Sequence, residues 1–158
     1  VVTRRQRQMC IRDSPLVYRL KQQFPDISII INGGIETLDQ TQTHLSQVDG
    51  VMVGRAAYKT PYFMADIDRL IFGAGEAPLS RDEIVELLIP YAEKLVAQNI
   101  PLHALTRHLM GLYQGCPGGR LWRRYLSENA VGANVPATVL QGALDVVRTQ
   151  RDRAALAS

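Results

Sequence analysis

The sequence predicts an α/β segment followed by an all-helical bundle, and three observations support this. Residues 27–31 and 51–53 are apolar runs without alternation, typical of strands covered on both faces in a parallel sheet. A glycine-containing loop follows each run, and a helix-start signal lies between them. Beyond residue 80, apolar residues recur only at helical spacing. The predicted order is strand, loop, helix, strand, loop and then helices.

The first predicted strand ends in the loop Asn32-Gly33-Gly34. Two glycines allow positive φ and bring backbone N–H groups close to a ligand, and a helix start just downstream adds its positive dipole end. Residues 37–40 (TLDQ) have the form of a capping box, which predicts a helix over about 37–47. Asn-Gly also suits a hairpin turn, but the capping box stands where a returning strand would be required. We therefore expect a phosphate-binding loop.

The second predicted strand covers about 49–53 and leads into Gly54 and Arg55. The spacing is not that of a G-x-G-x-x-G dinucleotide fingerprint. Two successive glycine loops after parallel strands are what the phosphate site of a TIM (β/α)8 barrel requires. Arg55 could add a charge to a bound phosphate, or it could pair with a nearby acid at the surface. A further helix is predicted over 61–72, with Pro61 at its first position and Gly73 at its end.

Four helices are predicted after a linker at 74–79. A Ser80/Glu83 capping box starts the first, which ends near residue 98; Pro101 starts the second, the third covers 120–129, and Pro136 precedes the fourth. The residues expected to face the bundle core share helical spacing and are Ile84, Leu87, Leu88, Tyr91, Leu95, Val96, Leu102, Leu105, Leu109, Leu112, Leu121, Trp122, Tyr125, Leu126, Val139, Leu140, Ala143, Leu144 and Val147.

The net charge of +3 comes from the first fourteen residues, which hold four arginines and one aspartate. Residues 1–14 show no strand or helix periodicity, and the string RQRQMCIRDS resembles translated adapter sequence, so we expect a non-native leader. A disordered basic arm and an RNA-contacting tail are the alternatives. The rest of the chain sums to zero charge, so only local clusters of charge bear on function.

One such cluster lies in residues 101–124, which contain four arginines and no acidic residue. On a helix, Arg120 shares a face with Arg123 and Arg124. Such a face would suit an RNA backbone, whereas a merely solvated helix face is the alternative.

Other classes of function find little support. No apolar run approaches the roughly 20 residues that cross a bilayer, and no apolar signal core is present, so we expect a cytoplasmic protein without a membrane partner. Two cysteines, Cys10 and Cys116, make no metal-ligand pattern with the three histidines. Cys116 lies in a Gly/Pro turn without a base at a diagnostic spacing, so it is not predicted to be a nucleophile.

Two stretches resemble the FMN-dependent tRNA-dihydrouridine synthase family, and its A-type members in particular. They are residues 31–68 (INGGIETLDQTQTHLSQVDGVMVGRAAYKTPYFMADID) and residues 107–130 (RHLMGLYQGCPGGRLWRRYLSENA). The resemblance implies an enzyme that reduces D-loop uridine of tRNA to 5,6-dihydrouridine with NADPH-reduced FMN. It also implies a (β/α)8 barrel followed by a helical RNA-binding domain.

By this resemblance, the FMN phosphate would be held by Asn32, Gly33, Gly34, Gly54 and Arg55. Arg120 and Arg123 would contact tRNA. The expected organisation is a leader (1–14), the last two βα units of the barrel (15–73), a linker (74–79), a helical tRNA-binding domain (80–150) and a tail (151–158).

The family's flavin-ring ligands and catalytic cysteine lie on earlier strands, and no part of this chain matches them. Cys10, in the suspect leader, is not that cysteine. We therefore expect no catalytic residue and no metal in this chain, and no activity from it alone. The full-length enzyme would be monomeric, whereas this chain, with two unpartnered strands, would self-associate. A dihydroorotate dehydrogenase-like FMN barrel and a stand-alone RNA-binding helical module are the alternatives.

Overall fold

The computed structural model describes residues 14–156, so all of the expected leader except Ser14 lies outside the described residues. The described part of the chain is a helix-rich α/β structure with two strands. Its elements, in chain order, are α1 (Ser14–Gln23), β1 (Ile30–Asn32), α2 (Leu38–Leu45), β2 (Gly50–Met52), α3 (Arg55–Lys59), a 3₁₀ helix (Pro61–Asp66), α4 (Ile67–Ile71), α5 (Arg81–Ala97), α6 (His103–Thr106), α7 (Gly119–Asn129) and α8 (Thr138–Leu156).

The two strands pair in parallel, as predicted, and α2 makes the crossover between them. In their register Ile30 lies opposite Gly50, Ile31 opposite Val51, and Asn32 opposite Met52. Because the strands are parallel and in this register, their carboxyl ends lie at the same edge of the sheet. The two glycine loops therefore start side by side.

The first strand is shorter than predicted, because the backbone before Ile30 forms hydrogen bonds with side chains in addition to those with the neighbouring strand. Lys21 Nζ donates to the carbonyl oxygens of Pro25 at 2.7 Å and Ile27 at 3.0 Å. Asp49 Oδ2 accepts the N–H of Ile29 at 2.8 Å, and Lys21 also pairs with Asp49 at 2.8 Å. These contacts connect α1 to the residues that precede each of the two strands.

Only one face of the sheet is covered within the described residues. Ile31 is buried in a small apolar cluster with Ile35 and Val48, against which Val17 and Tyr18 of α1 pack. On the other face Ile30 is 66% exposed and Met52 is 47% exposed. The expectation of strands buried on both faces is thus wrong for these residues, whereas the expected unpartnered apolar face is confirmed.

The helix predicted over 61–72 is divided in two. Thr60, at φ −134° and ψ 68°, ends α3, and Pro61 begins a 3₁₀ helix that runs to Asp66. Asp66, at φ −92° and ψ 0°, leads into the single α-helical turn of α4. Proline cannot donate a backbone hydrogen bond, so the chain restarts at Pro61 with tighter turns instead of continuing α3.

Helix α5 begins at the predicted capping box, in which Ser80 and Glu83 cap each other. Its buried face is rotated relative to the prediction. Val85 and Ala92 are buried, whereas Leu87 is 65% exposed and Tyr91 is 51% exposed. The buried positions share a face with Asp82, which bonds to arginines of α8, so the contact with α8 fixes the rotation.

The second helix of the bundle is much shorter than predicted, although its inward residues are correct. Leu102, Leu109 and Leu112 are buried, but regular helix covers only His103–Thr106. After it the backbone uses three-residue hydrogen bonds, from Leu109 N to Thr106 O at 2.9 Å and from Leu112 N to Leu109 O at 3.0 Å. The side chain of Trp122 takes the Leu109 carbonyl as well, at 2.8 Å. Turns therefore replace helix up to α7.

Helices α7 and α8 agree with the prediction in position and in buried face. Trp122 and Leu126 of α7 are buried against Leu140 and Leu144 of α8 in a second, larger apolar cluster. Helix α8 continues to Leu156, so it runs well into the segment expected as a tail. No helix among residues 14–156 has the length and apolar character that crossing a membrane requires.

The α/β segment (residues 14–72) and the helical segment (residues 80–156) meet through a few close contacts. The ring of Tyr62 lies 3.7 Å from the guanidinium carbon of Arg81, and Tyr62 packs against the larger cluster. Arg81 in turn donates from Nε to the carbonyl of Leu112 at 2.8 Å. A side chain at the start of α5 thus joins the 3₁₀ helix to the turns that precede α7.

Candidate functional site

The two glycine loops form one small pocket at the edge of the sheet. Its volume is about 150 Å³. Five of its lining residues are those that the sequence predicted for a phosphate site, namely Asn32, Gly33, Gly34, Gly54 and Arg55. The other three are Ile35, Glu36 and Met52. The parallel register, with Asn32 opposite Met52, brings the two loops together.

Gly33 and Gly34 both have backbone conformations that other residues rarely adopt. Their φ angles are 136° and 66°. A side chain at either position would be strained, so both glycines are required for this loop path. The first loop consequently presents bare backbone to the pocket.

The hydrogen bonds that start α2 leave donors free in this loop. The Gln40 side chain accepts the N–H groups of Glu36 at 2.8 Å and Thr37 at 3.2 Å, and the Thr37 hydroxyl accepts the N–H of Gln40. By contrast, the N–H groups of Gly34 and Ile35 have no acceptor among residues 14–156. These two donors can therefore bind an anion in the pocket.

Arg55 supplies a positive charge beside these donors. It is the first residue of α3, its side chain is exposed, and it lines the pocket. It makes no ion pair with an acid of the described chain, which removes the support for a surface pair as its role. Backbone donors and an unpaired guanidinium together suit an oxyanion such as phosphate.

The three arginines expected to share one face of α7 have different surroundings. Arg120 is exposed and has no side-chain partner within the described range. Arg123 is half-buried and donates from Nη1 to Gln114 Oε1 at 2.8 Å. Arg124 pairs with Glu128 at 2.8 Å, and this hydrogen bond raises the pKa of Arg124. Arg120 and Arg123 are thus available to an anion, whereas Arg124 is neutralised by its neighbour.

The basic residues that precede α7 lie close to α3. Arg107 Nε lies 3.0 Å from Nε2 of His108, and the ring of His108 meets Tyr58 of α3 edge-on at 5.7 Å. His103 is exposed on α6. His108 therefore connects this basic stretch to the same short helix that begins with Arg55.

A second cavity, of about 500 Å³, opens beside the small pocket and shares Glu36 and Arg55 with it. It lies between α3 and the turns before α7, and its other lining residues are Ala56, Lys59, Thr60, Met110, Gly111, Gln114 and Arg123. Sequence analysis missed Lys59 and Gln114. The four-residue spacing of Arg55 and Lys59 on one short helix is the signal that would have indicated a shared face.

Cys116 is half-buried in the turn before α7, and its thiol lies 3.9 Å from the carbonyl oxygen of Gln114. Within residues 14–156 it has no hydrogen bond to a histidine or carboxylate. A thiol without a base is a poor nucleophile. The absence of a catalytic residue from this chain stays a prediction.

The chain is similar in sequence to proteins of one family. A sequence model of the dihydrouridine synthase (Dus) family matches residues 3–147, and this match begins within the segment 1–14 that we expected to be foreign. The chain is 47% identical over 139 residues to a tRNA-dihydrouridine(20/20a) synthase of Salmonella typhi, covering 88% of this chain and 42% of that protein.

Two further relatives carry the same name. The chain is 46% identical over 139 residues to the protein of Escherichia coli (strain K12), covering 88% of this chain and 40% of the relative. It is 46% identical over 137 residues to the protein of Shewanella oneidensis, covering 87% of this chain and 41% of the relative. The chain thus spans about two fifths of the curated relatives that it matches. Because the family match extends over most of its length, this chain belongs to the dihydrouridine synthase family.

Proposed function

We propose that this chain is the C-terminal part of a flavin-dependent tRNA-dihydrouridine synthase. Residues 15–73 would form the last two βα units of a (β/α)8 barrel, residues 74–79 a linker, and residues 80–150 a tRNA-binding helical domain, with α8 continuing to Leu156. The whole enzyme would reduce D-loop uridine to 5,6-dihydrouridine, with NADPH as the reductant. The observation that carries this proposal is a small pocket lined by two glycine loops and Arg55, in a chain of this family whose helix α7 carries Arg120 and Arg123 without acidic partners among residues 14–156.

The small pocket fits the phosphate group of FMN. It offers the N–H groups of Gly34 and Ile35 and the guanidinium of Arg55, and two glycines open the backbone to the ligand. A volume of about 150 Å³ suits the phosphate end of the cofactor better than its three-ring flavin. The bound flavin would supply the hydride that reduces the base. The residues of this chain would only anchor and orient it.

Arg120 and Arg123 would contact the tRNA backbone. Both lie on α7 one turn apart, and neither forms an ion pair within residues 14–156. Phosphate contacts by arginine position a nucleic acid without reading its sequence. The helical segment would therefore hold the tRNA while other parts of the enzyme select and reduce the base.

Flavin binding tests the first half of the proposal. FMN and riboflavin differ only by the phosphate group, so their affinities for the 158-residue chain can be compared by flavin fluorescence. We expect FMN to bind about tenfold more tightly or better, since each hydrogen bond to a charged group contributes about 1.5–3 kcal/mol. Gly34→Val should abolish the difference because Gly34 has a φ of 66°. Equal affinities for the two flavins would contradict a phosphate site.

A matched control for that variant is Gly75→Val. A Cβ atom at Gly75 would meet nothing within 4 Å, and Gly75 lies in the predicted linker, away from the pocket. It receives the same side chain without strain. If Gly75→Val weakened FMN binding as much as Gly34→Val, the loss would reflect general instability instead of the pocket.

Binding of a tRNA transcript tests the second half. Arg120→Ala and Arg123→Ala should each weaken binding in a salt-dependent manner. Arg69→Ala is the control, since Arg69 is exposed and pairs with Asp66 on the α/β segment. Binding of tRNA without phosphate-dependent FMN binding would favour a stand-alone RNA-binding module. FMN binding without tRNA binding would favour another FMN barrel, such as a dihydroorotate dehydrogenase-like protein.

A further inference from the structure

The larger cavity holds an excess of positive charge, and one of its cations, Lys59, has no role in the proposal above. Three cationic side chains line it, Arg55, Lys59 and Arg123, against one acid, Glu36. None of the three cations forms an ion pair with an acid of residues 14–156. Cations gathered in one cavity repel each other, so such an arrangement is most stable when an anion binds between them.

The positions of these cations are fixed from two directions. Arg55 and Lys59 lie four residues apart on α3, and therefore on one face of that helix. Arg123 comes from α7 on the opposite side, where its Nη1 donates to Gln114 Oε1 at 2.8 Å. Gln114 itself lines the cavity, so it holds the guanidinium beside the space to be filled.

Gly111 completes the wall between the two sides. A Cβ atom at this position would overlap the backbone carbonyl oxygen of Lys59 and approach Cδ of Pro61 at 3.1 Å. Because Gly111 has no side chain, the helical segment approaches the end of α3 closely enough for Lys59 and Arg123 to line one cavity. The site is thus built by the contact between the two segments.

We propose that this cavity binds one backbone phosphate of the RNA substrate, with Lys59, Arg123 and Gln114 as its protein ligands. This inference rests on the proposed function. It assigns the phosphate of the RNA to the larger cavity and the phosphate of the cofactor to the smaller pocket. Arg55 lies between the two sites because it lines both.

Two features favour a phosphodiester of a polymer over a small free anion. Arg120, exposed on α7 one turn before Arg123, extends the positive surface away from the cavity, so a chain of phosphates can contact both residues. Glu36 places a negative charge at the cavity wall, which favours the single charge of a phosphodiester over the double charge of a free phosphate. Both features point to RNA passing through the cavity.

The experiment measures the salt dependence of tRNA binding by the full 158-residue chain. A fluorescently labelled tRNA transcript is titrated from about 50 to 200 mM KCl for the unmodified chain, Lys59→Gln and Lys94→Gln. Lys94 is exposed on α5, does not line the cavity, and receives the same substitution. We expect the slope of log K against log salt to fall by about 1 in Lys59→Gln and to stay unchanged in Lys94→Gln. Equal slopes in both variants would overturn the proposal.

Flavin and phosphate titrations separate this inference from the proposed function. FMN affinity should be the same in the unmodified chain and in Lys59→Gln, because Lys59 does not line the small pocket. If Lys59→Gln lowered FMN affinity and left the tRNA slope unchanged, the cavity would belong to the cofactor, and the RNA-phosphate site would be wrong while the synthase assignment stood. Binding of inorganic phosphate to the unmodified chain but not to Lys59→Gln, with tRNA binding unaffected by the phosphate, would identify a free-phosphate site and overturn it likewise. Absence of both tRNA binding and phosphate-dependent FMN binding would remove the proposed function itself.

Discussion

Gly111 lies directly against the backbone carbonyl group of Lys59, where a Cβ atom would overlap the carbonyl oxygen. This contact joins the helical segment to the end of α3 and forms part of the wall of the larger cavity. Both sides of the contact are backbone, which cannot rotate away as a side chain can. A larger residue at position 111 would therefore be accommodated only at a cost in stability.

Gly111→Ala should therefore destabilise the chain by about 1–3 kcal/mol, the usual cost of overpacking. Urea unfolding followed by far-ultraviolet circular dichroism measures this change. The control is Gly75→Ala, at a glycine whose surroundings are open to 4 Å. A loss no larger for Gly111→Ala than for Gly75→Ala would show that the two segments do not meet at this point.

Asp82 connects α5 to α8 and should control stability at acidic pH. Its carboxylate accepts hydrogen bonds from Tyr113 at 2.8 Å and Arg148 at 3.0 Å, as well as from Arg151. Burial disfavours the charged form, but the bonds from Arg151, Tyr113 and Arg148 outweigh burial and lower the pKa of Asp82. The stabilisation is fully present above the unfolded pKa of about 4 and is lost as the pH falls through the lower folded pKa.

Asp82→Asn should accordingly lower the free energy of unfolding by about 1–2 kcal/mol at neutral pH. The loss is smaller than for a fully buried ion pair because the arginines are partly exposed to solvent. Its free energy of unfolding should also depend less on pH below about 4 than that of the unmodified chain. Asp26→Asn, which removes an exposed carboxylate without a side-chain partner in residues 14–156, should change neither property. Parallel acid dependence in all three chains would contradict this role of Asp82.

Trp122 is the single tryptophan of the chain and is fully buried in the larger cluster. Trp122→Phe removes one of the two donors to the Leu109 carbonyl and leaves a void, so it should cost about 2–4 kcal/mol. Thermal unfolding followed by circular dichroism measures the change. Tyr91→Phe, on an exposed ring of α5, should be neutral. A neutral result for Trp122→Phe would show that neither this hydrogen bond nor the packing of the indole stabilises the chain.

The bare face of the sheet should make the purified chain self-associate. Ile30 and Met52 are both exposed on this face, and an apolar sheet surface without a partner favours association. Replacing both residues by Gln should lower the sedimentation coefficient and the binding of a fluorescent apolar dye. Val131→Gln is the control, because Val131 is 69% exposed but lies in a loop. A monomeric unmodified chain without dye binding would contradict this prediction.

The parts of the fold that follow from local chemistry were predictable from the sequence. The capping boxes at Thr37 and Ser80 start helices where expected, since each is a reciprocal pair within four residues. The burial of Leu102, Leu109 and Leu112 was also predicted correctly, because their spacing along the sequence places them on one side of the chain. The length of the helix around them was not, because Trp122, a residue distant in sequence, takes a carbonyl there.

The candidate site divides in the same way. The small pocket lies in two loops with recognisable glycines, so five of its eight lining residues could be named from the sequence. The larger cavity depends on how α3 and α7 face each other, which no local pattern encodes. Gln114 was missed for that reason, whereas the four-residue spacing of Lys59 from Arg55 is a local signal that would have placed the two on one face. The spacing of Arg124 and Glu128 allows a salt bridge, but it does not by itself exclude a contact of Arg124 with RNA.

The two apolar clusters have a consequence for hydrogen exchange. The larger one encloses Trp122, Leu140 and Leu144 among helices α5, α7 and α8, whereas the smaller holds Ile31, Ile35 and Val48 beside a two-stranded sheet. Local opening requires less free energy where less apolar surface is buried. Amide protons of β1 and β2 should therefore exchange with solvent well before those of α7 and α8. A ligand that bridges the two segments would slow the exchange of the sheet most.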